Sequence, residues 1–221
     1  MEQKRERYKD RVEAGTALAR ELAQYREERP VAVGLPRGGV VVAAEVAKAL
    51  GCDLDVIIAG KLRAPLNPEL AIGAVTEDGS VYLNRQSADY LHISEEYIEE
   101  EKALRFSAIK ERCEKYRAVK KKVPLEARTV ILVDDGLATG STMISAVQAA
   151  AASGASKIVV AVPGGPRDTV DNIAGMDEVS AVVCPVIPTL FFAVSQIYID
   201  FHQVEDSEVI KILRGFSRRG G

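Results

Sequence analysis

The strongest constraint on how this chain can fold is a series of short, almost wholly apolar runs, each ending in a turn. They are Val31 to Leu35, Leu54 to Ala59, Thr129 to Val133, Lys157 to Val162 and Val179 to Val183. Apolar runs this short, with turn signals around them, read as strands buried on both faces. Helical segments lie between them. Val40 to Leu50 is rich in Val and Ala and stops at Gly51, and Met143 to Ser153 is Ala-rich and closes at Gly154. Strand–turn–helix–strand order is the mark of a parallel sheet carrying helices on its faces. The expected class is α/β, with a central, mostly parallel sheet flanked by helices. The 221 residues fit one such domain, its core over about residues 30–185.

Composition narrows the function classes. Hydrophobic residues make up 47% and charged residues 28%, the balance of an ordinary globular chain. A net charge of −3 offers no general basic surface, so no nucleic-acid partner is expected, although a local basic patch is compatible with it. Cys52, Cys113 and Cys184 are widely spaced, and His92 and His202 are the only histidines. That set cannot supply a four-ligand zinc site. Reduced cysteines imply a cytoplasmic protein. The opening MEQKRERYKD has no apolar core of a signal peptide, and no run of about 18 apolar residues predicts a membrane span.

The remaining segments have local signals of their own. Asp10 followed by Glu13 predicts a capped helix. Residues 60–93 hold two short strand-like stretches, Ala71 to Val75 and Val81 to Asn84, around an Asp78-Gly79 hairpin turn. Ser94 is expected to cap a long charged surface helix to about Val119, with an apolar stripe of Tyr97, Leu104, Ala108, Cys113 and Tyr116. Lys120 to Lys122 read as a solvated helix end. Pro163-Gly164-Gly165-Pro166 reads as a turn into a short helix. The tail, Thr189 to Leu213, mixes aromatics with acids and should end in a helix, with Gly220 and Gly221 frayed.

The segment richest in chemistry is Val130 to Thr142. A buried strand ends in Asp134 and Asp135; Gly136, Leu137, Ala138, Thr139 and Gly140 form a loop; a helix follows at Ser141 and Thr142. Small residues let backbone N–H groups approach a ligand closely. A helix N-terminus and consecutive N–H groups favour an anion, above all phosphate. Two carboxylates beside such a cradle would repel phosphate alone. They fit a ligand that also carries hydroxyl groups or a metal ion. The bare chemistry points to a phosphorylated sugar diol.

This stretch resembles the phosphoribosyl pyrophosphate (PRPP) signature of the type I phosphoribosyltransferases. The resemblance implies that fold, with a lid and long helix over about 61–122 and a small C-terminal hood over about 186–213. It implies that Asp134 and Asp135 hold the ribose hydroxyls and that Ala138 to Thr142 wrap the 5′-phosphate. It implies Mg²⁺, carried mainly by PRPP and lying near Asp134 and Asp135. Ala138 stands where hypoxanthine-guanine enzymes have an acid, so that version of proton transfer is absent.

Gly34-Leu35-Pro36-Arg37-Gly38-Gly39 resembles the family's pyrophosphate loop, with Pro36, Gly38 and Gly39 against the diphosphate and Arg37 binding it. A strained or cis peptide is expected there. Lys61 and Arg63 follow the second strand, where the family commonly places a basic residue for the leaving group. Phe192 and Asp200 stand as base-binding residues of the hood, against a plainer reading as cap packing. The activity implied is transfer of ribose 5-phosphate to a nitrogenous base, purine slightly favoured, with pyrophosphate released, in nucleotide salvage. A non-catalytic PRPP-binding module and another phosphosugar enzyme are the competing readings. A homodimer is expected by analogy alone.

Overall fold

The computed structural model describes residues 7–65, 67–77, 79–83 and 85–217. Asp78, Asn84, Gly220 and Gly221, which entered the expectations above, lie outside them. Helix α1 (Arg11–Glu21) begins at Asp10, whose side chain accepts the Glu13 N–H. Glu13 reaches back to the Lys9 N–H at 2.6 Å, one residue before the cap itself. A 3₁₀ turn (Ala23–Glu28) leads into β1 (Val31–Gly34). Then follow α2 (Gly38–Leu50) and β2 (Asp53–Val56). After a separate excursion, β6 (Thr129–Val133), α5 (Ser141–Ala152), β7 (Lys157–Ala161), α6 (Arg167–Ala174) and β8 (Ala181–Val183) complete the main layer. The five strands run parallel in the order β2-β1-β6-β7-β8.

Side chains alternate between the two faces of this sheet, as the two-residue period requires. Val31, Val33, Val130, Leu132, Ile158 and Val160 pack with α5 and α6. Ala32, Ile131, Val133, Val159 and Ala161 face the core shared with α1 and α2. Both faces are thus covered, which is why the strands read as continuous apolar runs. Gly15 lets α1 lie on α2, since a Cβ there would come within 2.7 Å of the Val42 carbonyl oxygen.

The excursion is a second sheet of antiparallel strands, β3 (Gly60–Ala64), β4 (Asn67–Val75) and β5 (Val81–Leu83), in that order. The sequence expectation ran β2 on to Ala59 and missed β3. The parallel strand stops at Val56 because the chain leaves the main sheet to start the new one. The alternating burial of β3 is a signal that so short a run scarcely separates from a turn. Helix α3 (Arg85–Tyr90) and the long α4 (Glu95–Arg117), capped by Ser94 on the Tyr97 N–H, follow.

The buried face of α4 is Ile98, Glu101, Ile109, Cys113 and Tyr116. Leu104 is 58% exposed and Ala108 is exposed, so the expected stripe is corrected: Cys113 and Tyr116 stay on the buried face, and Ile98, Glu101 and Ile109 join them. A buried acid takes part in the true face. Glu101 pairs with Arg105 at 2.7 Å one turn on, so counting apolar residues alone misplaces it. Arg117 anchors the helix end to Asp55 at 2.6 Å and Glu77 at 2.8 Å. Burial pushes the Asp55 carboxyl upward, with Arg117 opposing it. The tail ends in α7 (Asp206–Ser217), where Asp206 accepts the Tyr116 hydroxyl at 2.7 Å. Among the described residues no helix is long and apolar enough to cross a membrane.

Candidate functional site

From β1 the chain moves outward to β2, and from β6 it moves the opposite way to β7. Strand order therefore reverses between β1 and β6. The loops leaving their C-terminal ends part there and open the crevice in which open α/β sheets bind ligands. Those two loops are the two sequence motifs, residues 35–37 and 134–140. They are tied at the base, where the Leu35 N–H donates to the Val133 carbonyl at 2.8 Å.

The first loop lies directly on the acids. A Cβ on Gly39 would come within 2.6 Å of the Val133 carbonyl oxygen and 2.8 Å of Asp134 Oδ1, and one on Gly38 would run into the Asp135 carboxylate. Only glycine fits either place. The Pro36–Arg37 peptide is cis, the kind of backbone feature expected in this loop. Arg37 is partly exposed, with Nη1 3.5 Å from Glu205 Oε2.

Asp134 Oδ1 accepts the Asp135 N–H at 2.8 Å. Burial pushes the Asp134 carboxyl well above the usual carboxylate range, and the neighbouring Asp135 charge adds to it. Asp135 is held from two sides. Its Oδ2 accepts Arg11 Nε at 2.7 Å, and its carbonyl accepts the Tyr198 hydroxyl at 2.6 Å. Arg11 also donates through Nη1 to the His202 carbonyl at 2.8 Å, and its guanidinium lies 3.9 Å from the Phe201 ring centroid. Burial, then the Asp135 charge, drives the Tyr198 phenol upward.

Arg11 and Tyr198 are the residues that sequence reasoning missed. One signal was available for the first. Arg11 opens α1, where the helix dipole disfavours a cation, and it is 6% exposed. A buried cation in that place needs an acid partner from elsewhere in the fold.

The second loop is pinned to the segment after β7. The Leu137 N–H donates to the Gly164 carbonyl at 2.9 Å, and Thr169 Oγ1 donates to the Ala138 carbonyl at 3.0 Å. Gly140 turns the chain with φ +76° and begins α5 without a side-chain cap. Gly136 leaves room for Val194 of the tail. Among the described residues, the Ala138, Thr139, Gly140 and Thr142 N–H groups meet no acceptor. The Thr139 and Ser141 hydroxyls lie 3.2 Å apart beside them. Unsatisfied donors at a helix N-terminus form a ready anion cradle.

Other expected residues stand elsewhere. Lys61 and Arg63 belong to β3 of the antiparallel sheet, not to the edge of the parallel one. Gly60 brings β3 against α4, where a Cβ would meet that of Arg105 at 2.8 Å. Phe192 is 83% exposed. Asp200 is exposed, and its N–H donates to the Lys9 carbonyl at 2.8 Å.

Known proteins resemble this chain over nearly its whole length. Two Mycobacterium tuberculosis proteins, each named "Putative phosphoribosyl transferase", are 43% identical over 217 residues, which is 96% of this chain and 48% of theirs. The chain thus spans about half the length of the curated relatives it matches. The crystal structure of TT1426 from Thermus thermophilus superposes with a TM-score of 0.90 at 41% identity, covering 95% of this chain and 99% of that one. The family model described as the phosphoribosyl transferase domain matches residues 5–183, both crevice loops included, and the chain therefore belongs to that family.

Proposed function

We propose that the crevice binds PRPP and transfers its ribose 5-phosphate to a nitrogenous base, a purine by slight preference. The carrying observation is the meeting, at the switch point, of a glycine loop with two acids and an open N–H cradle. The cradle of 138–142 suits the 5′-phosphate. Asp134 and Asp135 suit the ribose hydroxyls as acceptors. Arg37 and the 36–39 loop suit the diphosphate. Lys61 and Arg63 on β3 would contribute to the leaving group only if that sheet closes over the crevice.

In the reaction, a nitrogen lone pair attacks the anomeric carbon while the bond from that carbon to the diphosphate oxygen breaks. The bond electrons leave with pyrophosphate, and the proton displaced from the base passes to solvent. The transition state resembles other oxocarbenium-like glycosyl transfers. The chain supplies positioning, hydrogen-bond donors and exclusion of water rather than a nucleophile.

Among the described residues no group of three or more His, Cys, Asp or Glu could hold a metal. In this reading Mg²⁺ arrives on the substrate and lies near Asp134 and Asp135, whose carboxylate oxygens are suitable donors for it. Such an ion would neutralise the diphosphate.

The exposed Phe192 and Asp200 favour a second reading, a PRPP-binding module without efficient turnover. A cytoplasmic homodimer acting in nucleotide salvage is part of the main proposal by family analogy, and sedimentation checks its mass.

The test is thermal unfolding with PRPP plus Mg²⁺ against pyrophosphate plus Mg²⁺. A ligand at about 100 times its dissociation constant stabilises by roughly 2.7 kcal/mol. A shift specific to PRPP and lost in Asp134→Asn/Asp135→Asn supports the site, and pyrophosphate release with added bases then separates transferase from module. No shift at millimolar PRPP sinks the proposal.

A further inference from the structure

A large cavity lies at the other end of the sheet, against the N-terminal ends of its strands. It measures about 940 Å³, within the range of small-molecule sites. Pro30 before β1, Asp53 at the start of β2 and Arg128 before β6 form part of its wall. The ends of α2, α4 and α7 close the rest. Its lining holds six cations, Arg29, Lys48, Arg117, Lys120, Lys121 and Arg128, and one acid, Asp53. In a chain of net charge −3 this lining is locally basic, six cations to one acid.

Three of the cations are committed to partners. Lys48 pairs with Glu45 at 2.6 Å, Arg117 with Asp55 and Glu77, and Arg128 with Asp53 at 3.3 Å. Arg29, Lys120 and Lys121 meet no acidic partner among the described residues. Helix C-termini attract cations through the dipole. That explains single lysines at helix ends, but not three unpaired cations converging on one concavity.

The backbone gives an independent sign. Arg29 sits in the left-handed region with φ +47°, where glycine or asparagine is at ease and a long side chain is not. Its carbonyl is fixed there by Arg128 Nη2 at 2.9 Å. A cationic residue thus lines the hollow from a backbone conformation that favours glycine.

We propose that this cavity is a second anion site, binding a small molecule with two or more phosphate groups. Three free cations around one hollow match several phosphate oxygens better than a single carboxylate. The volume leaves room for a group attached to the phosphates. The site is independent of the crevice reading, since no residue of the 35–39 or 134–142 loops lines it.

The probe is tripolyphosphate, titrated calorimetrically at low salt into a Thr139→Asp variant, whose added charge closes the crevice cradle to anions. Binding persists in that background. It weakens at least about tenfold on adding Lys120→Gln/Lys121→Gln, as expected for lost charge-assisted bonds. Adding Arg29→Gly instead also weakens binding, while the ligand-free melting temperature holds or rises as the strained backbone relaxes. Binding unchanged in the double lysine variant overturns the proposal, as does inorganic phosphate binding as tightly as tripolyphosphate. A ten-nucleotide RNA that binds more tightly than tripolyphosphate, and is lost in the same variant, overturns the small-molecule assignment.

Discussion

Arg11→Met tests the site's geometry most directly. The change keeps an unbranched stem against Phe201 and removes the charge that faces Asp135. The two side chains are 7% and 16% exposed, with Nε and Oδ2 2.7 Å apart. Charge centres about 4 Å apart at an effective dielectric near 20 attract by roughly 4 kcal/mol. Relief of the arginine's own desolvation offsets part of that. Asp135, left beside Asp134 without its cation, adds an uncompensated charge, and breaking one side of such a pair costs about 3–5 kcal/mol. We expect Arg11→Met to lose about 3 kcal/mol in urea unfolding at neutral pH, roughly 6–12 °C in melting temperature for a chain of this size. Asp135→Asn alone also destabilises, but in the Arg11→Met background it costs little, because nothing remains to pair. The double-mutant cycle should return a coupling of about 2–3 kcal/mol. Additivity within about 0.5 kcal/mol would refute the argument, since the guanidinium and the carboxylate would then act independently.

Other perturbations follow from the same geometry. Asp134 is pushed upward, so the native state holds its proton more tightly than the unfolded chain, and native stability falls as pH rises from the ordinary Asp value of 3.8 through the raised one. Asp134→Asn should stabilise the ligand-free protein at neutral pH, a gain that fades as pH falls toward 3.8; a gain constant across melts from pH 4 to 8 contradicts the assignment. Gly140→Ala combines a φ of +76° with a Cβ 2.7 Å from Thr169 Cγ2 and should cost about 1–3 kcal/mol, with wild-type stability in chemical denaturation as the refuting result. Tyr198→Phe removes the 2.6 Å bond to the Asp135 carbonyl and should cost about 1–2 kcal/mol, together with weaker PRPP binding if that bond steadies the acid; an unaltered melting curve speaks against it.

The parts of the fold legible in the sequence share one property: local signals decide them. β6 is legible at its observed bounds because Thr129 and four buried apolar residues are followed by two acids. The ends of α2 and α5 were read from Gly51 and Gly154, which adopt positive φ. The Asp10 and Ser94 caps were legible because a cap is a contact across three residues. Errors came where a tertiary contact overrides the local pattern. The α4 face turned because Glu101 is buried with Arg105, and β3 separated from β2 because the second sheet has its own hydrogen-bond partners.

The site divides along the same line. The anion cradle is contiguous in the chain, so the order of small residues, hydroxyls and a helix start describes it almost completely. The acids' surroundings are not contiguous. Arg11 and Asp135 are 124 residues apart, and Tyr198 reaches the Asp135 carbonyl across 63. Neither partner carries a local mark of its role beyond the odd placement of a cation at a helix start. The consequence is functional as well as predictive. Because Arg11 also binds the His202 carbonyl and stacks on Phe201, the N-terminal helix and the tail are coupled to one carboxylate. A ligand whose hydroxyls compete for Asp135 must therefore act on both at once. In this chain the mobile part of any closure over the crevice is expected in the α1–tail contact as much as in the antiparallel sheet.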